Sequence, residues 1–374
     1  MNRKWINPGK NKTTQLRCLG LAAAAGVGLL FLPVSGSAIV SGPCVECHTM
    51  HNSQDNLVMA FDGTSGPYEK LLRGGCIACH TSPTGVANDG TNYIPYVNSI
   101  DIPTYGATGN TLAGGNFYWV AAAGGNDHPK GHNVQFEGLA EQDGVLANTP
   151  PGNDGTFTGP LTCAGVTGCH GDRVALDDYT AVSGAHHADD AIIDGNSVAT
   201  SYRFLLGVLG LEDADWEYQP TVSTHNQYKG VDRTADSEDV TSTISSLCAQ
   251  CHNDFHNGTD NPVQGANGGF GDPWIRHPTD FDMGNTEATS EYRNYGGTTT
   301  NAYVLDAPVA SADVNSVLST VAFADDTIVT CISCHRAHGT PYDDLLRWDY
   351  DQDTTTIRAG GAGSGGCLEC HTTK

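Results

Sequence analysis

The longest apolar run in the chain is Leu19 to Val34, 16 residues behind a head that carries Arg3, Lys4, Lys10, Lys12 and Arg17 and no acidic residue. Gly36-Ser37-Ala38 follows with small side chains. This order of basic, apolar and small segments predicts a secretory signal over 1–38, cut after Ala38. The run is short for a membrane span, and no later stretch offers a transmembrane segment. Cys18 stands directly behind Arg17 and ahead of the run, so it is expected to leave with the signal. Beyond residue 38 the apolar positions come mostly in short clusters. Helical spacing marks Pro67–Arg73, Ser201–Leu209 and Thr241–His256, the last with Ile244, Leu247, Cys248 and Cys251 on one face. Thr327–Ile332 reads as a short strand. Gly106–Gly115, Gly152–Gly159 and Asn257–Gly271 are rich in Gly, Asn, Asp and Thr, which form turns. The predicted fold is therefore mostly irregular, with short α-helices and few short β-strands, as one domain over 39–374.

Such a chain needs something besides side chains in its interior. Hydrophobic residues are 39% of the sequence and 46 of 374 residues are glycine, so long loops would surround a thin core. The cysteines supply the missing material. Five segments read Cys-x-x-Cys-His: Cys44, Cys47 and His48; Cys76, Cys79 and His80; Cys248, Cys251 and His252; Cys331, Cys334 and His335; Cys367, Cys370 and His371. This is the attachment pattern of c-type haem. Two thiols add across the two vinyl groups of one macrocycle, and the next imidazole falls under the iron as its proximal ligand. Disulfides would not call for a histidine after every second cysteine, and neither would zinc.

Cys163 and Cys169, with His170 after them, are three residues further apart than the rest. Ala-Gly-Val-Thr-Gly between them is small and flexible and suits a bulge. The expectation is six haems c, or five if Cys163 and Cys169 form a disulfide. Each haem then contributes a large apolar surface, which makes this a haem-packed, multihaem chain.

The irons need second ligands, of which Met offers one class and His another. Beyond the signal only Met50, Met59 and Met283 remain, against nine further histidines. Bis-histidine ligation is therefore expected throughout. The distal candidates are His51, His132, His186, His225, His277 and His338, with His128, His187 and His256 as weaker ones.

The two ends of the chain resemble each other. Cys44-Val-Glu-Cys-His-Thr-Met-His51 precedes Pro67-Tyr68-Glu-Lys-Leu71-Leu72-Arg73 and then Cys76; Cys331-Ile-Ser-Cys-His-Arg-Ala-His338 precedes Pro341-Tyr342-Asp-Asp-Leu345-Leu346-Arg347 and then Cys367. This reads as a repeated di-haem module, at 44–80 and 331–371, flanking two isolated sites. His51 and His338 are expected to ligate the neighbouring haem of their own pair.

Charge narrows the partners. Five of the 18 lysines and arginines, and none of the 42 acidic residues, precede residue 39, which leaves −29 on the remaining 336 residues. That surface argues against nucleic acid.

With these motifs the chain resembles the doubled-CxxCH multihaem cytochromes exported by metal-reducing bacteria, including those that polymerise into extracellular filaments. Lys130-Gly131-His132-Asn133-Val134, Ser183-Gly-Ala-His186-His187 and Ile275-Arg276-His277-Pro278 are similar to segments that carry distal ligands in such proteins. The resemblance implies an electron carrier rather than an enzyme, with no catalytic residue. It implies extracellular or outer-surface placement, other redox proteins or extracellular acceptors as partners, and a homo-oligomer or filament in which one subunit lends a histidine to its neighbour's haem. The rival readings are a periplasmic reductase of a small oxyanion, which needs an iron with an open position, and a soluble periplasmic shuttle.

Overall fold

The computed structural model describes residues 42–372, except 65, 83, 86–93, 107, 122–123, 136–142, 154, 189–191, 234–239, 257–276, 298 and 351–365. The signal segment 1–38, the loop beginning at Asn257, and Ile275-Arg276 lie outside the described residues. All described residues belong to the compact unit Gly36–Lys374.

The fold class is as expected: short elements joined by loops. Among the described residues there are four α-helices: α1 Cys76–His80, α2 Asp178–Ala181, α3 Ile244–Ala249 and α4 Cys331–Cys334. None is long enough to persist alone in water. Side-chain caps start three of them. Asp177 accepts from the Thr180 N–H at the head of α2, and Thr243 from the Ser246 N–H at the head of α3. Thr330 and Ser333 form a reciprocal capping box on α4. Among the described residues no helix is long and apolar enough to cross a membrane.

The largest sheet has five strands in the order Gly210–Leu211, Gln227–Lys229, Ala310–Ser311, Ile328–Val329, Phe281–Asp282. Its second and third strands run parallel, with Ala310 opposite Tyr228, and the other contacts are antiparallel. Tyr202, Leu205, Val208, Tyr228, Leu247 and Ile332 pack with Ala310 and Ile328 of this sheet. A second cluster gathers Met283, Tyr295, Tyr303, Val309 and Val321, and a third is only Phe117, Val120 and Val134. These cores border a connected cleft of about 2490 Å³ lined by all six Cys-His segments.

Four expected elements differ. Thr241–His256 is helical only over Ile244–Ala249, with a 3-10 turn at Asn253–Phe255. The strand at Thr327–Ile332 covers Ile328–Val329, because α4 begins at Cys331. Pro67–Arg73 and Ser201–Leu209 hold single 3-10 turns at Glu69–Leu71 and Tyr202–Phe204, each broken by a left-handed residue, Lys70 or Arg203. That break belongs to the sites themselves.

Candidate haem sites

Five of the six Cys-His segments sit on a tight local turn. Cys44–Glu46 and Gly366–Glu369 are 3-10 turns, and α1, α3 and α4 carry the segments at Cys76, Cys248 and Cys331. The long segment reaches a related arrangement by another route. Thr162–Ala164 and Gly168–His170 pair in parallel, with Thr162 opposite Gly168 and Ala164 opposite His170. The insert is thereby looped out, and Cys163 and Cys169 stand on adjacent strands as free thiols.

Each following imidazole is fixed through Nδ1. His48 meets the Lys70 carbonyl at 3.1 Å, His80 that of Pro95 at 2.8 Å, and His170 that of Arg203 at 2.9 Å. His252 meets the Pro151 carbonyl and His335 that of Asp344, both at 2.7 Å, while His371 meets the Glu291 carboxylate at 3.4 Å. With Nδ1 donating to an oxygen, Nε2 is left with its lone pair for a metal.

The opposing rings supply a test of fit. Two metal–nitrogen bonds of about 2 Å, with roughly 1 Å from each nitrogen to its ring centre, put two imidazoles on one metal about 6 Å apart. Ring centres lie 6.0 Å apart for His48 and His187, 6.3 Å for His80 and His186, and 6.4 Å for His170 and His338. They lie 6.1 Å apart for His252 and His132, and 6.0 Å for His371 and His277. These gaps are too wide for packed rings and right for a shared metal. Burial keeps several of the rings neutral, the form that ligates: it depresses His80, His170 and His335, and takes His132 and His186 down to about 4 and His338 to about 3. Residues and spacing therefore fit bis-histidine haem at five places. At the sixth, His335, no second imidazole faces the ring among the described residues.

Several distal expectations need correction. His225 is fully buried, stacks on Tyr303 at 3.9 Å and has both nitrogens against carbonyls, of Asn226 at 2.8 Å and Leu318 at 3.1 Å. It is a core residue. His256 is buried against the Asp280 carboxylate at 2.9 Å, and His128 meets the Asn133 amide at 3.0 Å. His187, rated weaker, stands opposite His48. His338 does not turn toward the neighbouring site of its own pair; it faces His170, from the middle of the chain. His51 is exposed.

The sites also follow one another in space as in sequence. Cys47 lies near Cys79, Cys76 near Cys163, Cys169 near Cys251, Cys248 near Cys331, and Cys334 near Cys367.

One functional device escaped the sequence reading. Lys70-Leu71, Arg203-Phe204 and Asp344-Leu345 are pairs of consecutive left-handed residues, with φ of 56° and 60°, 50° and 59°, and 58° and 56°. In each pair the first carbonyl takes the imidazole Nδ1. The second takes the N–H of the residue after that histidine: Leu71 O from Thr49, Phe204 O from Gly171, Leu345 O from Arg336. Side chains other than glycine pay about 1 kcal/mol or more for each such residue, and the paired bonds offset that. The aliphatic pattern at these positions mimics a helix turn, which is why helices were expected there. The hook occurs after the first, third and fifth segments. The hook thus groups the six segments into three modules, each a hooked segment followed by an unhooked one. The shared stretch Arg203-Phe204-Leu205, set beside Lys70-Leu71-Leu72 and Asp344-Leu345-Leu346, was the available signal.

The hook gives a direct prediction. Asp344→Gly keeps the left-handed turn and should leave the electron paramagnetic resonance spectrum of the holoprotein unchanged. Asp344→Val, β-branched, should cost about 1–2 kcal/mol and displace the g values of one haem. Identical spectra for both variants would remove the hook's role.

The family model of the doubled CXXCH motif matches residues 322–374. Over 391 aligned residues the chain is 28% identical to the C-type cytochrome OmcS of Geobacter sulfurreducens, covering 91% of this chain and 86% of that protein. The chain is thus similar to doubled-CxxCH multihaem c-type cytochromes. Two solved structures are also similar to this chain. One is the outer membrane cytochrome S filament of G. sulfurreducens, with TM-score 0.45 and 23% identity over 84% of this chain and 85% of that one. The other is the cryo-EM structure of OmcS nanowires from the same organism, with TM-score 0.45 and 22% identity over 90% and 91%.

Proposed function

We propose that the mature cytochrome, released from its signal at Ala38, holds six haems c in sequence order and passes electrons along them outside the cell, as one subunit of a head-to-tail filament. Cys44, Cys47, Cys76, Cys79, Cys163, Cys169, Cys248, Cys251, Cys331, Cys334, Cys367 and Cys370 hold the macrocycles. His48, His80, His170, His252, His335 and His371 are the proximal ligands. His187, His186, His338, His132 and His277 close five irons from the other side. When bound, each haem supplies a ferric–ferrous couple. The chain sets ligation, spacing and burial.

One observation carries the filament. The hooked segments borrow distal histidines from the module ahead: His48 faces His187, after the second hooked segment, and His170 faces His338, after the third. His335 belongs to the last module and faces no histidine of its own chain among the described residues. His51 holds the place in the first module that His338 holds in the third, and it is exposed. A second copy placed ahead would bring its His51 to His335 and continue the series. Val45, Met50, Leu57, Val58, Phe61 and Leu71 are exposed hydrophobics around this histidine, more than an isolated surface usually leaves in one place.

Intact mass of the secreted protein tests the cofactor count and the cleavage point together. Six covalent haems on residues 39–374 are expected. Five haems, with Cys163 and Cys169 two hydrogens lighter, would mean a disulfide there. Electron microscopy of the same sample should show fibres; monomers alone would oppose assembly.

A further inference from the structure

The polar groups of the cleft are mostly accounted for, with one charged exception. Arg336 is 8% exposed and lines the cleft. Its Nη1 donates to the Ala113 carbonyl at 2.8 Å, and its guanidinium lies over the Tyr105 ring, 4.9 Å from the centre. Tyr105 is itself pinned, donating to the Gly339 carbonyl at 2.9 Å and accepting from the Trp119 indole at 3.0 Å. Nε of Arg336 has no partner, and among the described residues no carboxylate pairs with it. Arg203, in the same cleft, does have one: Glu212 at 3.5 Å. Glu217, also buried, is occupied by the Asn226 N–H. A guanidinium stays charged in any protein environment, and a buried charge without a counter-charge is strongly unfavourable. Something anionic is therefore missing from the space that Nε faces.

The backbone says which group it is. His335 is extended, with φ −111° and ψ 159°, and side chains alternate along extended chain. Arg336 therefore leaves the backbone away from the His335 ring. The carbonyl that Arg336 holds belongs to Ala113; the next residue, Gly114, accepts from the His338 N–H at 2.7 Å. A Cβ on Gly114 would come within 3.0 Å of the His338 ring. Arg336 is thereby tied to the wall that seats His338.

We infer that Arg336 anchors a propionate carboxylate of the haem held between His170 and His338. This rests on the six-haem reading above. A propionate is the anionic group a haem carries, and the planar fork of an arginine matches a carboxylate with two parallel hydrogen bonds. The pairing lets a charge-bearing edge of the macrocycle enter a dry wall. It also sets the potential of this haem, since the guanidinium offsets negative charge next to an iron that gains an electron on reduction. Losing it makes reduction harder.

The test is a spectroelectrochemical titration of the full-length holoprotein and of R336Q and R336K. R336Q should lower one of six midpoints by at least tenfold in the reduction equilibrium, about 59 mV for a one-electron couple. R336K, with the charge but not the fork, should fall between. Six unmoved midpoints in a folded, six-haem R336Q protein would overturn the anchor. If R336Q does not accumulate, the propionate bending bands of R336K in resonance Raman decide: one displaced band supports the pairing, and no displacement overturns it. A wild-type mass with five haems and a Cys163–Cys169 disulfide removes the haem in question, and that failure is visible before any titration.

Discussion

His51→Ala is expected to stop assembly and to leave one iron in six open to carbon monoxide. The effect should be close to all-or-none, because the variant removes a metal–ligand bond that no residue of the same chain replaces. Wild-type fibres, with His335 completed by the next copy, should bind carbon monoxide only at fibre ends. His187→Ala is the control. It also opens one iron, but the ring it removes stands opposite His48 within the chain, so fibres should persist. The two variants thus separate loss of a ligand from loss of an interface. Fibres of normal length from His51→Ala would refute ligation between copies. Stoichiometric carbon monoxide binding along intact wild-type fibres would instead favour the reductase, which needs an exchangeable position. The contact is heterologous, the same two patches joining copy after copy, and such contacts extend unless the rotation closes them into a ring.

The second large effect concerns the fold. Chain made without haem attachment, by replacing the twelve cysteines with serine, should remain unfolded, with coil-like circular dichroism and no cooperative melting. The three side-chain clusters are small, and the largest has eight fully buried members. The cleft between them measures about 2490 Å³. Leaving a quarter of that volume dry would cost about 15 kcal/mol at roughly 24 cal/mol per Å³, as much as the whole stability of a typical domain at about 5–15 kcal/mol. Flooding it would wet the apolar walls instead. Helices of four to six residues cannot hold their shape against either outcome. A cooperative thermal transition in the haem-free chain would show that the polypeptide carries its own core.

The covalent sites were legible because their chemistry is local. Cysteine and histidine must be neighbours in sequence to share one macrocycle, so spacing alone marks five candidate sites. The sixth also fits once the insert at Cys163 is seen to loop out between two paired strands. Distal ligands were less legible, because each comes from a distant loop and a histidine carries no mark of its destination. His225 illustrates this: its stacking on Tyr303 and its two carbonyl neighbours make it a core residue, and none of these contacts is visible along the chain. The hooks were misread for a different reason. Leucine pairs at Leu71-Leu72 and Leu345-Leu346 have helical spacing, but handedness there is imposed by the carbonyls that must turn back to the imidazole.

Lys70, Arg203 and Asp344 perform one task with a cationic, a cationic and an anionic side chain, because the task falls to the main chain. Any residue that tolerates the turn supplies the same oxygen. Selection acting through the cofactor therefore has little grip on most positions, and these sequences can diverge while the inner ring of contacts stays in place. What the cofactor would hold constant is the cysteine and histidine skeleton. Descent in such proteins is best traced by the spacing of those two residue types, with the intervening side chains free to follow the habitat.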